Sequence, residues 1–288
     1  MGTQLMAPEQ LLHTPCGEGV MVWRSWGAAS ACPVLLLHGG SGSWTHWIRN
    51  IPALVAAGHQ VWAPDLPGFG DSAALPPGSD ADAIVPHLMA GLRALPVEGP
   101  WEVVAFSFGS LVACLLASVH PEVVSRLLLV GLPVLPLASG RGVRLAPVGA
   151  AISPAERAAN HRANLAAIML HRADQIDDDT VAIQAANAAR DRMRTRRLVT
   201  TDACHQALLS VVCPFACIWG QEDVLYRGRW GQVGSACKGN KLCEGLHLVP
   251  DAGHWVQYEA ADIFHRLALD WLSRVPVATP QDAVPAAV

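Results

Sequence analysis

Three short segments supply the residue types that nucleophilic catalysis needs. AFSFG (105–109) sets Ser107 between a predicted strand and a predicted helix, WGQED (219–223) ends on Asp223, and AGHW (252–255) carries His254. A serine hydroxyl is a weak nucleophile at neutral pH and requires a base within hydrogen-bond reach. His254 would take its proton, while Asp223 would fix the imidazole tautomer and stabilise the imidazolium. Asp223 is preferred over Glu222 because successive side chains after a strand point in different directions. A serine on a sharp strand-to-helix turn exposes its hydroxyl, and small residues two before and two after it let strand and helix pack closely. Here those residues are Ala105 and Gly109.

A fourth segment addresses the charge that develops when such a serine attacks a carbonyl. HGGSG (38–42) follows a short apolar run and can present backbone N–H groups. The Gly40 and Phe108 amides are the expected oxyanion donors, one such donor being worth about 3 kcal/mol in a transition state. His38 is expected to order the loop rather than to touch substrate.

These segments must be positioned by regular elements. Residues 20–26, 33–38, 59–64, 101–106, 126–131, 215–219 and 247–249 read as strands, and 50–57, 81–95, 109–120 and 260–273 as helices. Strand and helix alternate, as they do when a parallel sheet is covered on both faces. Each chemical segment then follows a strand, at the carboxyl edge where open α/β sheets place their sites. The alternation stops between residues 137 and 212. Ser153-Pro154-Ala155-Glu156 forms a capping box that opens a helix to about His171, and a second helix runs from Asp177–Asp179 to about Arg197. This insert holds ten arginines against seven acids, while the rest of the chain carries ten bases and seventeen acids. Such an insert would attract an anionic substrate, or its arginines form a solvated face.

Composition narrows the classes. The chain has 288 residues, 51% of them hydrophobic and 15% charged, with a net charge of -4. That excludes a disordered polyelectrolyte, and the acidic balance argues against nucleic-acid binding. No apolar run is long enough for a membrane span, and the first residues lack the pattern of a secretion signal, so a cytoplasmic protein is expected. The cysteines Cys16, Cys32, Cys114, Cys204, Cys213 and Cys217 are scattered without metal-ligand spacing, so no metal is expected. Cys237 and Cys243 flank a polar loop and are read as free thiols in a reducing compartment.

With HGGSGS, DLPGFGDS, AFSFGS, WGQED and AGHWVQYE in this order, the chain resembles the α/β-hydrolase-fold enzymes over roughly residues 20–273. The resemblance implies a mostly parallel central sheet flanked by helices, with a helical cap inserted after the sixth strand. The expected divisions are 1–136 and 213–274 for the core, 137–212 for the cap and 275–288 for a frayed tail. A serine rather than an aspartate at position 107 argues against dehalogenase and epoxide hydrolase chemistry. WTHWIRNI (44–51) and GHWVQYEAADIFHRL (253–267) are similar to the meta-cleavage product hydrolases, which split carbon–carbon bonds in ring-fission products. That similarity implies that Trp255 lies beside the nucleophile and that a cap arginine, matched to Arg190 with Gln184 competing, grips the substrate's acidic end. The chain departs from that family at Phe106 and His46, where it usually has asparagines. A pocket edged by Trp44, Trp47, Phe106, Phe108 and Trp255 favours an apolar group instead.

The expected function is therefore a cofactor-free serine hydrolase acting on a carboxylic ester of a small or medium hydrophobic substrate. Carbon–carbon hydrolysis of a 2-hydroxy-6-oxo-dienoate stays open as the runner-up, and a non-catalytic ligand receptor on the same fold as a different class. The expected partner is a small-molecule substrate, with no nucleic acid and no membrane; a homodimer is left open.

Overall fold

The computed structural model describes residues 8–29, 33–137, 143–193 and 196–274. Eight strands form one sheet: β1 (Gln10–Cys16), β2 (Gly19–Trp26), β3 (Val34–Leu37), β4 (Val61–Pro64), β5 (Trp101–Phe106), β6 (Val124–Val130), β7 (Phe215–Gly220) and β8 (Cys243–Val249). Their spatial order is β1-β2-β4-β3-β5-β6-β7-β8; the β1–β2 and β2–β4 pairs are antiparallel and the remaining pairs parallel. The central strands are mostly apolar because helices cover both faces, with Glu102 of β5 and Arg126 of β6 paired at 3.3 Å. Alternate residues feed two cores: Leu35, Leu37, Val103 and Ala105 join one, and Leu36, Val104 and Phe106 the other. β1 is an edge strand that sequence reading missed. Its exposed, mixed side chains and Pro15 give no core signal, and pairing with β2 defines it.

The helices are α1 (Ile51–Ala56), α2 (Ala81–Ala94), α3 (Phe108–Val119), α4 (Pro154–Asn164), α5 (Asp178–Ala189), α6 (Ala203–Leu209), α7 (Trp230–Lys238), α8 (Val256–Glu259) and α9 (Ala261–Leu272). As expected, Ser153 caps α4, its Oγ accepting from the Glu156 N–H at 3.2 Å, with Pro154 at the first helical position. That helix ends earlier than expected, passing into a wider π turn at Leu165–Met169. α5 also stops short of Arg197, at Ala189. Beyond it, Arg192 donates its backbone N–H to the Gly68 carbonyl and fans its guanidinium over the Phe69 and Gly70 carbonyls. The insert's last helix, α6, packs against α3 and α7 in the layer that flanks the sheet. α7 was absent from the sequence reading.

The position of β3 between β4 and β5 brings two loops together. The chain leaves β3 toward β4 on one side and returns to pair β5 on the other. Register Leu37↔Ala105 then sets the loop after β3 beside the turn after β5, at a topological switch point. The tail 275–288 and Cys32 lie outside the described residues.

Candidate active site

Ser107 sits on the turn between β5 and α3 with φ +51 and ψ −115, a conformation rarely tolerated outside glycine. The surroundings hold it there. Its N–H donates to the Val130 carbonyl at 2.7 Å, and the Ser110 hydroxyl donates to the Ala105 carbonyl at 2.7 Å. Gly109 is required by close approach, since a Cβ would lie 2.4 Å from the His38 carbonyl oxygen. Strain confined to one residue of a rigid strand–helix junction is a mark of functional sites.

His254 reaches this turn from the loop after β8. Its Nε2 lies 2.9 Å from Ser107 Oγ, and its Nδ1 2.7 Å from Asp223 Oδ2. Asp223 is fully buried, and its Oδ1 accepts from the Leu225 N–H at 2.9 Å. Glu222 points elsewhere, to Arg227 at 3.2 Å. With Nδ1–H facing a carboxylate, Nε2 is left as the acceptor for the serine proton. Gly131, at φ +57, makes room for the ring: a Cβ there would stand 2.9 Å from His254 Cε1.

Glu259 fixes the histidine loop to the insert, a role the sequence did not disclose. One of its carboxylate oxygens accepts from the Gly253 N–H at 2.6 Å and the other from the Arg172 N–H at 2.5 Å. The Trp255 N–H adds a bond to the Met169 carbonyl at 2.8 Å. The π turn is thus seated directly on the residues flanking His254.

A cavity of about 360 Å³ opens over Ser107 and His254. Gly40 and Phe108 line it beside the serine. Phe108 is the first residue of α3, so its N–H has no acceptor within the helix. The walls are mostly apolar, with Leu137, Leu145, Val148, Leu165, Ile168, Met169, Val199 and Leu225. His161, Asn164, Gln184 and Arg196 supply the polar remainder from the insert.

A family profile described as alpha/beta hydrolase fold matches residues 33–261. The chain belongs to the alpha/beta hydrolase fold family. The hydrolase is 26% identical over 263 residues to 2-hydroxy-6-oxo-6-phenylhexa-2,4-dienoate hydrolase of Burkholderia cepacia, across 83% of this chain and 87% of that one. It is 26% identical over 268 residues to the dihydrolipoyllysine-residue acetyltransferase component of an acetoin cleaving system from Pseudomonas putida, across 90% of this chain and 68% of that one. A solved putative aryl esterase from Burkholderia cenocepacia superimposes with a TM-score of 0.74 at 20% identity, over 91% of this chain and 98% of that one. That likeness shows the fold.

The hydrolase does not place all its expected substrate-binding residues at the cavity. Arg190 stands outside the cavity lining. It pairs with Asp71 at 2.8 Å on the exposed surface, because α5 ends just before it and the chain turns toward the loop after β4. Arg196 reaches the cavity instead, its guanidinium 2.8 Å from Asp191 and 3.1 Å from Ser41 Oγ. The charge excess of the insert was the only sequence signal for it. Trp47 is fully buried against Phe264, and Trp44 packs on Trp26 and beneath Arg24. Phe106 packs 5.0 Å from the His254 ring and Trp255 stacks on Tyr258 at 4.0 Å, and neither lines the cavity.

His46 also serves as support. Its Nδ1 accepts the Gly39 N–H at 3.2 Å, while His38 Nε2 accepts the Leu66 N–H at 2.9 Å. The two imidazoles brace the loop after β3, as expected for His38. Among the described residues no helix is long and apolar enough to cross a membrane, and no side-chain cluster has metal-binding geometry. Cys237 and Cys243 are free thiols.

Proposed function

We propose that the hydrolase cleaves carboxylic esters of small or medium hydrophobic substrates through an acyl-enzyme on Ser107. The observation that carries this reading is the continuous chain Ser107–His254–Asp223 opening into a mostly apolar cavity. Ser107 Oγ attacks the ester carbonyl as His254 Nε2 takes the hydroxyl proton. Asp223 stabilises the resulting imidazolium, and the Gly40 and Phe108 amides receive the oxyanion. His254 then protonates the departing alkoxide, and a water activated by the same nitrogen releases the acid.

Carbon–carbon hydrolysis of a dienoate is the second reading, favoured by the Burkholderia cepacia relative and by Arg196 at the cavity wall. Two features favour the ester. The Arg196 charge is already paired with Asp191, and positions 46 and 106 offer no side-chain amide to a polar acid.

The test is a panel of p-nitrophenyl esters of graded chain length run beside one ring-fission product, with active-site titration by a fluorophosphonate. Stoichiometric labelling and ester turnover are expected, both lost in Ser107→Ala. Ester hydrolysis that survives in Ser107→Ala overturns the nucleophile, and turnover of the ring-fission product alone overturns the ester.

A further inference from the structure

The cavity contains a buried amide oxygen without a hydrogen-bond partner among the described residues. It is Oε1 of Gln184, which projects from α5 into the lining. Buried polar atoms in folded proteins are nearly all paired, and one left unpaired costs free energy until a ligand or water meets it.

Two other polar side chains of the lining, Asn164 and Arg196, are committed. Both ends of the Asn164 side-chain amide are taken by the Ala146 backbone, at 2.7 and 2.9 Å. Arg196 is held by Asp191 and Ser41. His161 is buried, and burial together with the nearby Arg157 pushes its imidazole below the ordinary value, which keeps it neutral. An uncommitted amide oxygen therefore stands among apolar walls, and the described lining residues hold no uncompensated charge to draw an anion.

We propose that Gln184 is a specificity-determining residue that selects substrates carrying a neutral hydroxyl on the apolar chain that fills the cavity. A hydroxyl both donates and accepts, so it satisfies the amide whichever way its oxygen and nitrogen are turned. This inference rests on the Ser107 reading of the site and narrows its substrate class. A site built around such a bond discriminates strongly against the isostere that lacks it, because the buried group is then left unpaired.

The experiment compares matched p-nitrophenyl and alkyl esters whose chains end in methyl, hydroxyl or carboxylate, with the varied end on the acyl chain in one set and on the alcohol chain in the other. The intact enzyme should favour hydroxyl over methyl by roughly tenfold or more in kcat/KM in one set, and carboxylate in neither. Gln184→Leu should bring that ratio to about one, and Gln184→Asn should restore part of it. No hydroxyl preference in either set overturns the proposal. A preference that survives Gln184→Leu, or carboxylate as the best chain, does so as well. Failure of the nucleophile reading shows separately, as ester turnover that persists in Ser107→Ala.

Discussion

His38 and His46 are fully buried, and burial holds both imidazoles below the ordinary value of 6.5, His46 well below it. They stay neutral in the folded protein where the unfolded chain protonates them. The unfolded state therefore binds more protons below 6.5, and stability falls as the pH drops through that value. Each ring contributes a slope of up to about 1.4 kcal/mol per pH unit in that window. Urea midpoints should fall between about pH 7.5 and pH 5.5, and His46→Asn should lessen the drop; an undiminished drop would locate the effect in other groups. The two cavity-side arginine assignments separate at the same scale. Arg190→Ala should leave the ratio of KM values for anionic and neutral esters unchanged, because its partner Asp71 lies on the surface. Arg196→Ala should shift that ratio and leave Asp191 unpaired beside the oxyanion loop. The resemblance to the meta-cleavage product hydrolases selected Arg190; the end of α5 selected Arg196.

At the scale of elements, the junctions matter more than the strands and helices themselves. β6 is followed by Gly131, whose left-handed backbone and missing side chain leave the space the His254 ring occupies. Gly131→Ala should displace that ring and lower kcat by about 10²-fold, with a stability cost of about 1 kcal/mol or more. Circular dichroism and fluorophosphonate labelling would check it: a folded variant that labels at full speed contradicts the crowding argument. β5, β6 and β7 were legible in the sequence because each carries a short apolar run ended by a turn. β1 and α7 were not. β1 is an exposed edge that earns no pattern from burial, and α7 buries only Val233, Ala236 and Cys237.

Across the whole molecule, the insert is fastened over the site at several points rather than hung from its two ends. Asn187 bonds Ser43 and Thr45 in the loop after β3, Asp80 accepts the Arg197 and Leu198 N–H groups, and Glu259 joins Arg172 to Gly253. Glu259→Gln removes one acceptor oxygen and leaves a buried N–H without its partner, at a cost of about 1–3 kcal/mol. Faster hydrogen exchange across residues 166–172 together with reduced kcat is expected, whereas unchanged exchange would show that the insert is held elsewhere. The alternation of strand and helix and the serine, acid and histidine segments were written in the sequence, because strand ends and glycine turns are local events with local signatures. Which arginine faces the cavity, that Trp47 is core, and that Gln184 stands unpaired were decided only by tertiary packing. These depend on where α5 ends and what its side chains meet, and distances between segments far apart in the chain have no local signature.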